Sequence, residues 1–210
     1  TPTSDKKIDC IYCGQCITHC PVGAIEAVGE YETAKIPFEK KKEGKIIVAQ
    51  IAPSVRTSIG EDFSMPYGSI VTEQLVGALK ALGADKVFDV SLGSDLTTVE
   101  EAKELIERIK EKRNLPMFTS CCPGWVRFLE LYYPDFIPNL TTVRSPHIIL
   151  GGLIKTYWAQ KEKIDPKNIV VVSIMPCTAK KYEITRKELE IDGIAPVDYV
   201  LTVRELSYLL

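Results

Sequence analysis

The stretch Asn168-Ile-Val-Val-Val-Ser-Ile-Met-Pro-Cys177 decides the fold that this sequence predicts. It is apolar along nearly its whole length and rich in β-branched residues, which is typical of a strand buried on both faces of a parallel sheet. Further strands are predicted at residues 45–51, 86–92, 115–119 and 199–202. Helices with apolar residues at helical spacing alternate with them, at residues 69–82, 98–112, 125–133, 145–161 and 203–210. We therefore expect an α/β fold with a parallel sheet flanked by helices.

Unusual residues follow three of these predicted strands. Ala52, Pro53 and Ser54 come after the strand at residues 45–51. The pair Cys121-Cys122 follows the strand at residues 115–119, and Cys177 follows the apolar stretch quoted above. In open α/β sheets, ligands bind at the edge formed by the carboxyl ends of the strands. The sequence therefore predicts a cysteine-rich site at one edge of the sheet.

The amino-terminal segment contains a second group of cysteines, at positions 10, 13, 16 and 20. Their spacing, C-x2-C-x2-C-x3-C followed by proline, is that of bacterial ferredoxins and predicts a 4Fe–4S cluster bound by Cys10, Cys13, Cys16 and Cys20. In two-cluster ferredoxins the fourth cysteine binds the other cluster, so Cys20 either closes its own cluster or belongs to a second one. We predict a small ferredoxin-like α+β iron–sulfur module with a linker at residues 1–44, and a second domain at residues 45–210. Residues 30–45 are expected to form a linker or an exposed hairpin.

The number of cysteines and the net charge limit the classes of protein to which this chain can belong. Seven cysteines, an odd number, do not suit a disulfide framework, and a reduced metalloprotein of the cytoplasm is expected, with the periplasm as the alternative. The net charge is −2 and both signs are mixed along the chain, so the charge pattern does not indicate binding to nucleic acid or to an anionic membrane. No apolar run approaches the roughly 20 residues of a membrane span.

Two further strings carry a specific resemblance. Thr119-Ser-Cys-Cys-Pro-Gly-Trp125 and Met175-Pro-Cys-Thr-Ala-Lys-Lys-Tyr-Glu183, placed after a ferredoxin run, resemble the first two active-site motifs of the FeFe (iron-only) hydrogenases. The resemblance implies an H-cluster, in which a 4Fe–4S cubane is joined to a di-iron site with CO, cyanide and a bridging dithiolate. It also implies the reversible conversion of protons and electrons into H2.

The resemblance assigns roles to single residues. Cys122 and Cys177 match cubane ligands, and Cys121 matches a cysteine that shuttles protons. A cysteine thiol in water has a pKa of about 8.5, close enough to neutrality for that task. The onward proton relay would use Glu101, Thr141 and Glu104 with Arg108. The residues alone also allow a structural interpretation of this helix: a capping box at Thr98 and Glu101, and an ion pair between Glu104 and Arg108.

The resemblance also places several residues around the di-iron pocket. Lys180 would donate to a cyanide ligand, and His147 stands where the family often has glutamine. A surface position at a helix start is the alternative for His147. The expected pocket lining comprises Ala52, Pro53, Ser54, Ser145 and Met175.

The family's third motif, a Cys-x3-Cys set, is absent from this sequence. We therefore expect the chain to be a fragment that needs the remaining C-terminal part of its subunit. A ferredoxin or another electron-transfer subunit would be its redox partner. Three alternatives are a hydrogenase-like protein of iron–sulfur cluster assembly, an H2 sensor and a simple electron carrier. The presence of Cys121 beside Cys122 favours the enzyme, because those hydrogenase-like relatives typically lack the shuttle cysteine.

Overall fold

The computed structural model describes residues 9–25 and 32–210. Within these ranges, four parallel strands form one sheet in the order β2-β1-β3-β4. The strands are β1 Ile46–Ile51, β2 Lys86–Asp89, β3 Ile169–Met175 and β4 Tyr199–Thr202. The predicted parallel sheet is confirmed.

Helices precede, connect and follow the strands. They are α1 Gln15–His19, α2 Ile36–Glu39, α3 Val55–Ser58, α4 Thr72–Leu82, α5 Ser91–Glu111, α6 Pro123–Tyr132, α7 Pro146–Leu153, α8 Ala159–Glu162, α9 Ala179–Glu183 and α10 Val203–Leu209. One π-helical turn, Ile154–Trp158, joins α7 to α8. No helix in the described ranges has the length and apolar character needed to cross a membrane.

The core lies on both faces of the sheet. Every residue of β3 is buried, and successive side chains of a strand point to opposite faces. Both faces of this strand must therefore be covered, as the sequence of the stretch predicts. Two polar residues, Gln50 on β1 and Ser173 on β3, are fully buried in this core and pair in register.

The predicted strand at residues 115–119 is wrong. Phe118 forms only an isolated parallel bridge with Leu140, outside the sheet. The Phe118 amide donates to the Asn139 carbonyl at 2.8 Å, and the Thr141 amide donates to the Phe118 carbonyl at 2.8 Å. Pro116 lacks the amide proton that a central strand would need, which limits this short run to local pairing.

Helix α5 begins earlier than the sequence predicts. It starts at Ser91, so the predicted strand 86–92 is too long, and the Asp89 carboxylate accepts the Ser91 amide at 2.8 Å. Thr98 lies inside the helix and donates its hydroxyl to the Ser94 carbonyl at 2.9 Å. The alternative of a capping box at Thr98 is therefore wrong, because the helix starts at Ser91, about two turns upstream.

The segment before β1 also differs from expectation. Residues 32–45 contain helix α2 and the 3-10 turn Lys40–Glu43 instead of a linker or hairpin. Ala34, in the turn before α2, and Phe38, within the helix, are buried in the core, and this burial favours an ordered segment here. Helix α1 and loops make up residues 9–25, whereas residues 1–8 and 26–31 of the predicted module lie outside the described ranges.

Candidate metal centre

Part of the candidate site lies at the edge formed by the carboxyl ends of the strands. After β1, Ala52 is buried and its amide donates to the Ile174 carbonyl of β3 at 3.0 Å, while Pro53 and Ser54 are exposed. After β3, the buried Met175 leads to Cys177, which is partly exposed. The ends of these two neighbouring strands are thus fixed side by side, as predicted.

The Cys121–Cys122 loop reaches this edge through helix α6. Cys122 is the residue before the helix, and its sulfur accepts the Trp125 amide at 3.5 Å. Lys180 on α9 donates to the Cys121 carbonyl at 2.7 Å. Since α9 follows Cys177 closely, this bond ties the two hydrogenase-like motifs together, although no sheet strand precedes Cys121.

The ferredoxin-like run packs against both motifs. Thr178, next to Cys177, donates its hydroxyl to the Tyr12 carbonyl at 3.0 Å. A Cβ placed on Gly124 would lie 3.4 Å from the Ile11 carbonyl oxygen, so these backbones are in contact. The rings of Tyr12 and Tyr182 stack with centroids 4.4 Å apart. The loop of the first cysteines therefore lies directly over the loops that carry Cys122 and Cys177.

The thiols suit metal binding. All seven cysteines are free, and Cys13, Cys16, Cys121 and Cys122 are exposed. Backbone amides of Val22, Ile25 and Ala24 lower the pKa of the Cys20 thiol, which favours the thiolate that binds metal. In the described ranges no three cysteine, histidine or carboxylate groups converge on a single ion. A cubane spreads its ligands around four irons, so convergence on one point is not required of them.

Glu104 is the centre of a saturated polar cluster. Its Oε1 accepts two bonds from Arg108, at 2.5 and 3.0 Å, and its Oε2 accepts the Thr141 hydroxyl at 2.6 Å and the Thr142 amide at 3.0 Å. Burial alone would raise the pKa of Glu104, but the bonds from Thr141, Thr142 and Arg108 outweigh it and lower the pKa. The predicted ion pair and the three predicted relay residues Glu104, Arg108 and Thr141 are thus brought together.

Glu101, one turn earlier on the same face of α5, has different surroundings. Its Oε1 is buried and has no hydrogen-bond partner among the described residues. Burial and the nearby charge of Glu104 raise the pKa of Glu101. A carboxyl group in this position can hold a proton nearer to neutral pH than an ordinary glutamate.

Ser145 gives a second unpartnered polar atom. It is buried, and its Oγ has no hydrogen-bond partner within the part of the chain that the structure describes. A buried hydroxyl without a partner is costly unless something else supplies one. The Ser145 hydroxyl is therefore available to a bound polar group.

His147 is buried, so the alternative of a surface position is wrong. Its Nε2 lies 2.6 Å from Oε2 of Glu183, and its Nδ1 lies 3.1 Å from the Ser173 hydroxyl. Sequence reasoning gave no role to Glu183, Ser173 or Gln50. The signal was present, because a polar residue inside an apolar strand has to find a partner in the core.

Comparison with known proteins settles the family. Residues 45–210 match the family described as "Iron only hydrogenase large subunit, C-terminal domain", and residues 8–26 match "4Fe-4S binding domain". This chain belongs to the iron-only hydrogenase large-subunit family. The expected cofactors, a 4Fe–4S cluster and an H-cluster, are those of the matched domains.

Individual relatives include hydrogenases and a protein of iron–sulfur cluster assembly. Iron hydrogenase 1 of Clostridium pasteurianum is 45% identical over 90% of this chain and 33% of its own length. The periplasmic [Fe] hydrogenase large subunit of Nitratidesulfovibrio vulgaris is 46% identical over 96% of this chain and 55% of its own length. Cytosolic iron-sulfur assembly component 3 of Rattus norvegicus is 31% identical over 96% of this chain and 44% of its own length.

A solved structure confirms the fold. The apo [FeFe]-hydrogenase HydA1 of Chlamydomonas reinhardtii, variant C377H, superposes with a TM-score of 0.80 at 39% identity, covering 87% of this chain and 47% of the other. This iron-only hydrogenase chain thus spans between a third and about half the length of the relatives named here.

Proposed function

We propose that this chain supplies an electron-entry module, residues 1–44, and part of the active-site domain, residues 45–210, of an iron-only hydrogenase. The reaction is the reversible reduction of protons to H2. One observation carries the proposal: the Cys121–Cys122 loop, the turn after Cys177 and the first ferredoxin-like loop meet at one place.

The cysteines divide into two metal-binding sets. Cys10, Cys13, Cys16 and Cys20 would hold the 4Fe–4S cluster, whereas Cys122 and Cys177 would hold the cubane of the H-cluster. When bound, the H-cluster supplies the metal site at which H2 is formed or split. Because the two sets lie on loops in direct contact, electrons from a ferredoxin or another electron-transfer subunit would cross a short distance between clusters.

Proton transfer would be the task of Cys121, of the two glutamates on α5 and of Thr141. The exposed Cys121 thiol would exchange protons with the bound cluster and pass them on to Glu101, Thr141 and Glu104. Glu101 suits the first carboxyl position because its raised pKa and unpartnered oxygen leave it able to take up a proton. Arg108 holds Glu104 ionised and fixed in place.

The pocket wall would be formed by Ala52, Pro53, Ser54, Ser145 and Met175, with Lys180 as donor to a cyanide ligand. The free Oγ of Ser145 supports a polar neighbour there. An ammonium that donates to a bound anion forms a bond about twice as strong as one between neutral groups. His147 faces Glu183 and Ser173, so its part in the pocket is indirect.

A second candidate function is cluster assembly without catalysis, which the similarity to cytosolic iron-sulfur assembly component 3 supports. The buried, unpartnered Oε1 of Glu101 favours the enzyme, because a protein that only carries clusters has no use for a proton acceptor there. A full-length protein that binds its clusters and shows no H2 turnover would support the assembly function instead.

Exchange of Cys121 for alanine tests the proposal in the full-length enzyme. Cys121→Ala should leave the clusters assembled, because Cys121 is not a proposed ligand. It should lower H2 evolution by about 100-fold or more, the usual effect of losing a general acid or base. The matched variant Cys122→Ala should instead lose the cubane signal in electron paramagnetic resonance. Wild-type H2 evolution by Cys121→Ala would contradict the proton role.

A further inference from the structure

A continuous chain of buried hydrogen bonds runs from the middle of the sheet towards the Cys121 loop. It begins at Gln50 of β1, whose amide nitrogen donates to the Ser173 hydroxyl at 2.5 Å and to the His147 carbonyl at 2.9 Å. The Ser173 oxygen in turn lies 3.1 Å from Nδ1 of His147. His147 is 1% exposed, so this end of the chain is held entirely by protein groups.

The other end of the chain passes through a single carboxylate oxygen. Oε2 of Glu183 lies 2.6 Å from Nε2 of His147 and accepts from the Lys180 ammonium at 2.8 Å. The same ammonium donates to the Cys121 carbonyl at 2.7 Å. The side chains of Glu183 and Lys180 are 8% and 12% exposed. Lys180 is therefore anchored on one side to the core and on the other to the cysteine loop.

The donors and acceptors in this chain have one consistent assignment. Burial would raise the pKa of Glu183, but the bond from His147 and the charge of Lys180 lower it, so the carboxylate is ionised and only accepts. Nε2 of His147 must then carry the proton, and Nδ1 accepts from Ser173. Burial lowers the pKa of His147, in agreement with a neutral ring.

We propose that His147 and Glu183 are positioning residues, which hold the Lys180 ammonium beside the Cys121–Cys122 loop so that it can donate to an anionic ligand of a bound metal unit. The destination of that bond rests on the proposed function; the positioning itself does not. An ammonium has three donors, and two are used by Glu183 and the Cys121 carbonyl, which leaves the third for the anion. Without the bond from His147, Glu183 loses its attachment to the core and Lys180 moves away from Cys121.

The accessibility of Lys180 tests the positioning. Full-length protein that carries its 4Fe–4S clusters but not the di-iron unit is labelled with trace acetic anhydride, and tandem mass spectrometry compares Lys180 with Lys181. Lys181 is a fitting reference because it pairs with Glu205, away from His147. His147→Leu should raise the Lys180-to-Lys181 labelling ratio by about threefold, because an amine released from Glu183 and the Cys121 carbonyl is exposed to the reagent for more of the time, while His147→Gln, which keeps an N–H donor, should not.

A second variant covers the case in which His147→Leu does not fold. Glu183→Gln keeps the side-chain shape but removes the charge shared with Lys180, and it should raise the same ratio. Circular dichroism melts identify the folded variants. If the Lys180-to-Lys181 labelling ratio is unchanged in each of the two variants that folds, the positioning role is wrong.

An infrared measurement separates this inference from the proposed function. In the enzyme with its complete H-cluster, His147→Leu should shift a cyanide stretching band, and His147→Gln should leave it in place. A labelling response without a band shift would overturn the bond to the anion. Absence of cyanide bands from the wild-type protein would overturn the proposed function, and the labelling result would still decide the positioning.

Discussion

Glu101 and Glu104 lie one turn apart on helix α5, and their surroundings are opposite. Both oxygens of Glu104 are occupied, by Arg108 on one side and by Thr141 and Thr142 on the other. Glu101 has a buried oxygen without a partner among the described residues. Glu104 is thus ionised at rest, whereas Glu101 takes up a proton more readily. The sequence shows only two glutamates three positions apart and does not reveal this difference.

The saturated side of this comparison also has a structural task. The Arg108 guanidinium is 2% exposed, and besides Glu104 it donates to the carbonyls of Asn114, Asn139 and Leu140, at 3.2, 3.0 and 2.5 Å. These carbonyls belong to the two segments that lead to Cys121 and to Ser145. Arg108 therefore links α5 to both, and the cluster around Glu104 holds the proposed site together as well as supplying a relay residue.

The largest expected effect comes from the unpartnered carboxyl. Glu101→Gln in the full-length enzyme should lower H2 evolution by about 10²–10⁴-fold, because the amide cannot exchange the proton. The same change should raise the free energy of unfolding, since it removes a partly buried charge whose Oε1 lacks a partner among the described residues. Turnover assays and urea denaturation measure the two effects.

Glu100→Gln is the matched control for that prediction. Glu100 is the preceding residue, is 52% exposed and pairs with Lys103 on the outer surface. We expect it to change neither turnover nor stability measurably, as is usual for an exposed pair. If Glu101→Gln turned over like Glu100→Gln, the distinction between the two sides of α5 would have no functional meaning.

The saturated cluster should respond through stability first. Arg108→Met removes one partner of a buried pair and leaves the Glu104 charge uncompensated, so the free energy of unfolding should fall by about 3–5 kcal/mol. Urea denaturation of the full-length protein measures this loss. Arg113→Met, at an exposed pair with Glu111 just beyond α5, should leave the unfolding midpoint unchanged. Equal effects of both substitutions would show that the Glu104 cluster is not a framework.

Local patterns predicted the four strands of the sheet, but they also predicted a false one and did not show which residues support the site. The run at β3 predicted a strand buried on both faces because it is apolar nearly throughout, and every residue of β3 is buried. The run at residues 115–119 looked similar, yet Phe118 pairs with Leu140 instead, a contact decided by tertiary packing. In the same way, Thr98 has the spacing of a helix start but lies inside α5.

Some residues of the candidate site could be identified from the sequence, and others could not. The cysteine spacing and the two motif strings indicated candidate metal-binding residues from the sequence. The partners of His147 could not be read from it, since Glu183 and Ser173 are 36 and 26 residues away along the chain. Only the fold, which places β3 and α9 beside α7, brings these groups together.

The smallest expected effect is a difference in pH dependence between the two glutamates. The raised pKa of Glu101 means that its stabilising contribution is present at low pH and is lost as the pH rises through the folded-state value. The lowered pKa of Glu104 means the reverse: its contribution is present above the unfolded-state value of about 4.3 and is lost as the pH falls through the folded-state value. For one group the slope cannot exceed about 1.36 kcal/mol per pH unit.

Unfolding free energies of wild type, Glu101→Gln and Glu104→Gln, measured between about pH 3 and pH 7, give these slopes by subtraction. With rising pH, the wild type should lose stability relative to Glu101→Gln and gain it relative to Glu104→Gln. Two slopes of the same sign would mean that both carboxyls titrate in similar surroundings. The contrast across one turn of α5, on which the assignment of Glu101 as proton acceptor depends, would then be wrong.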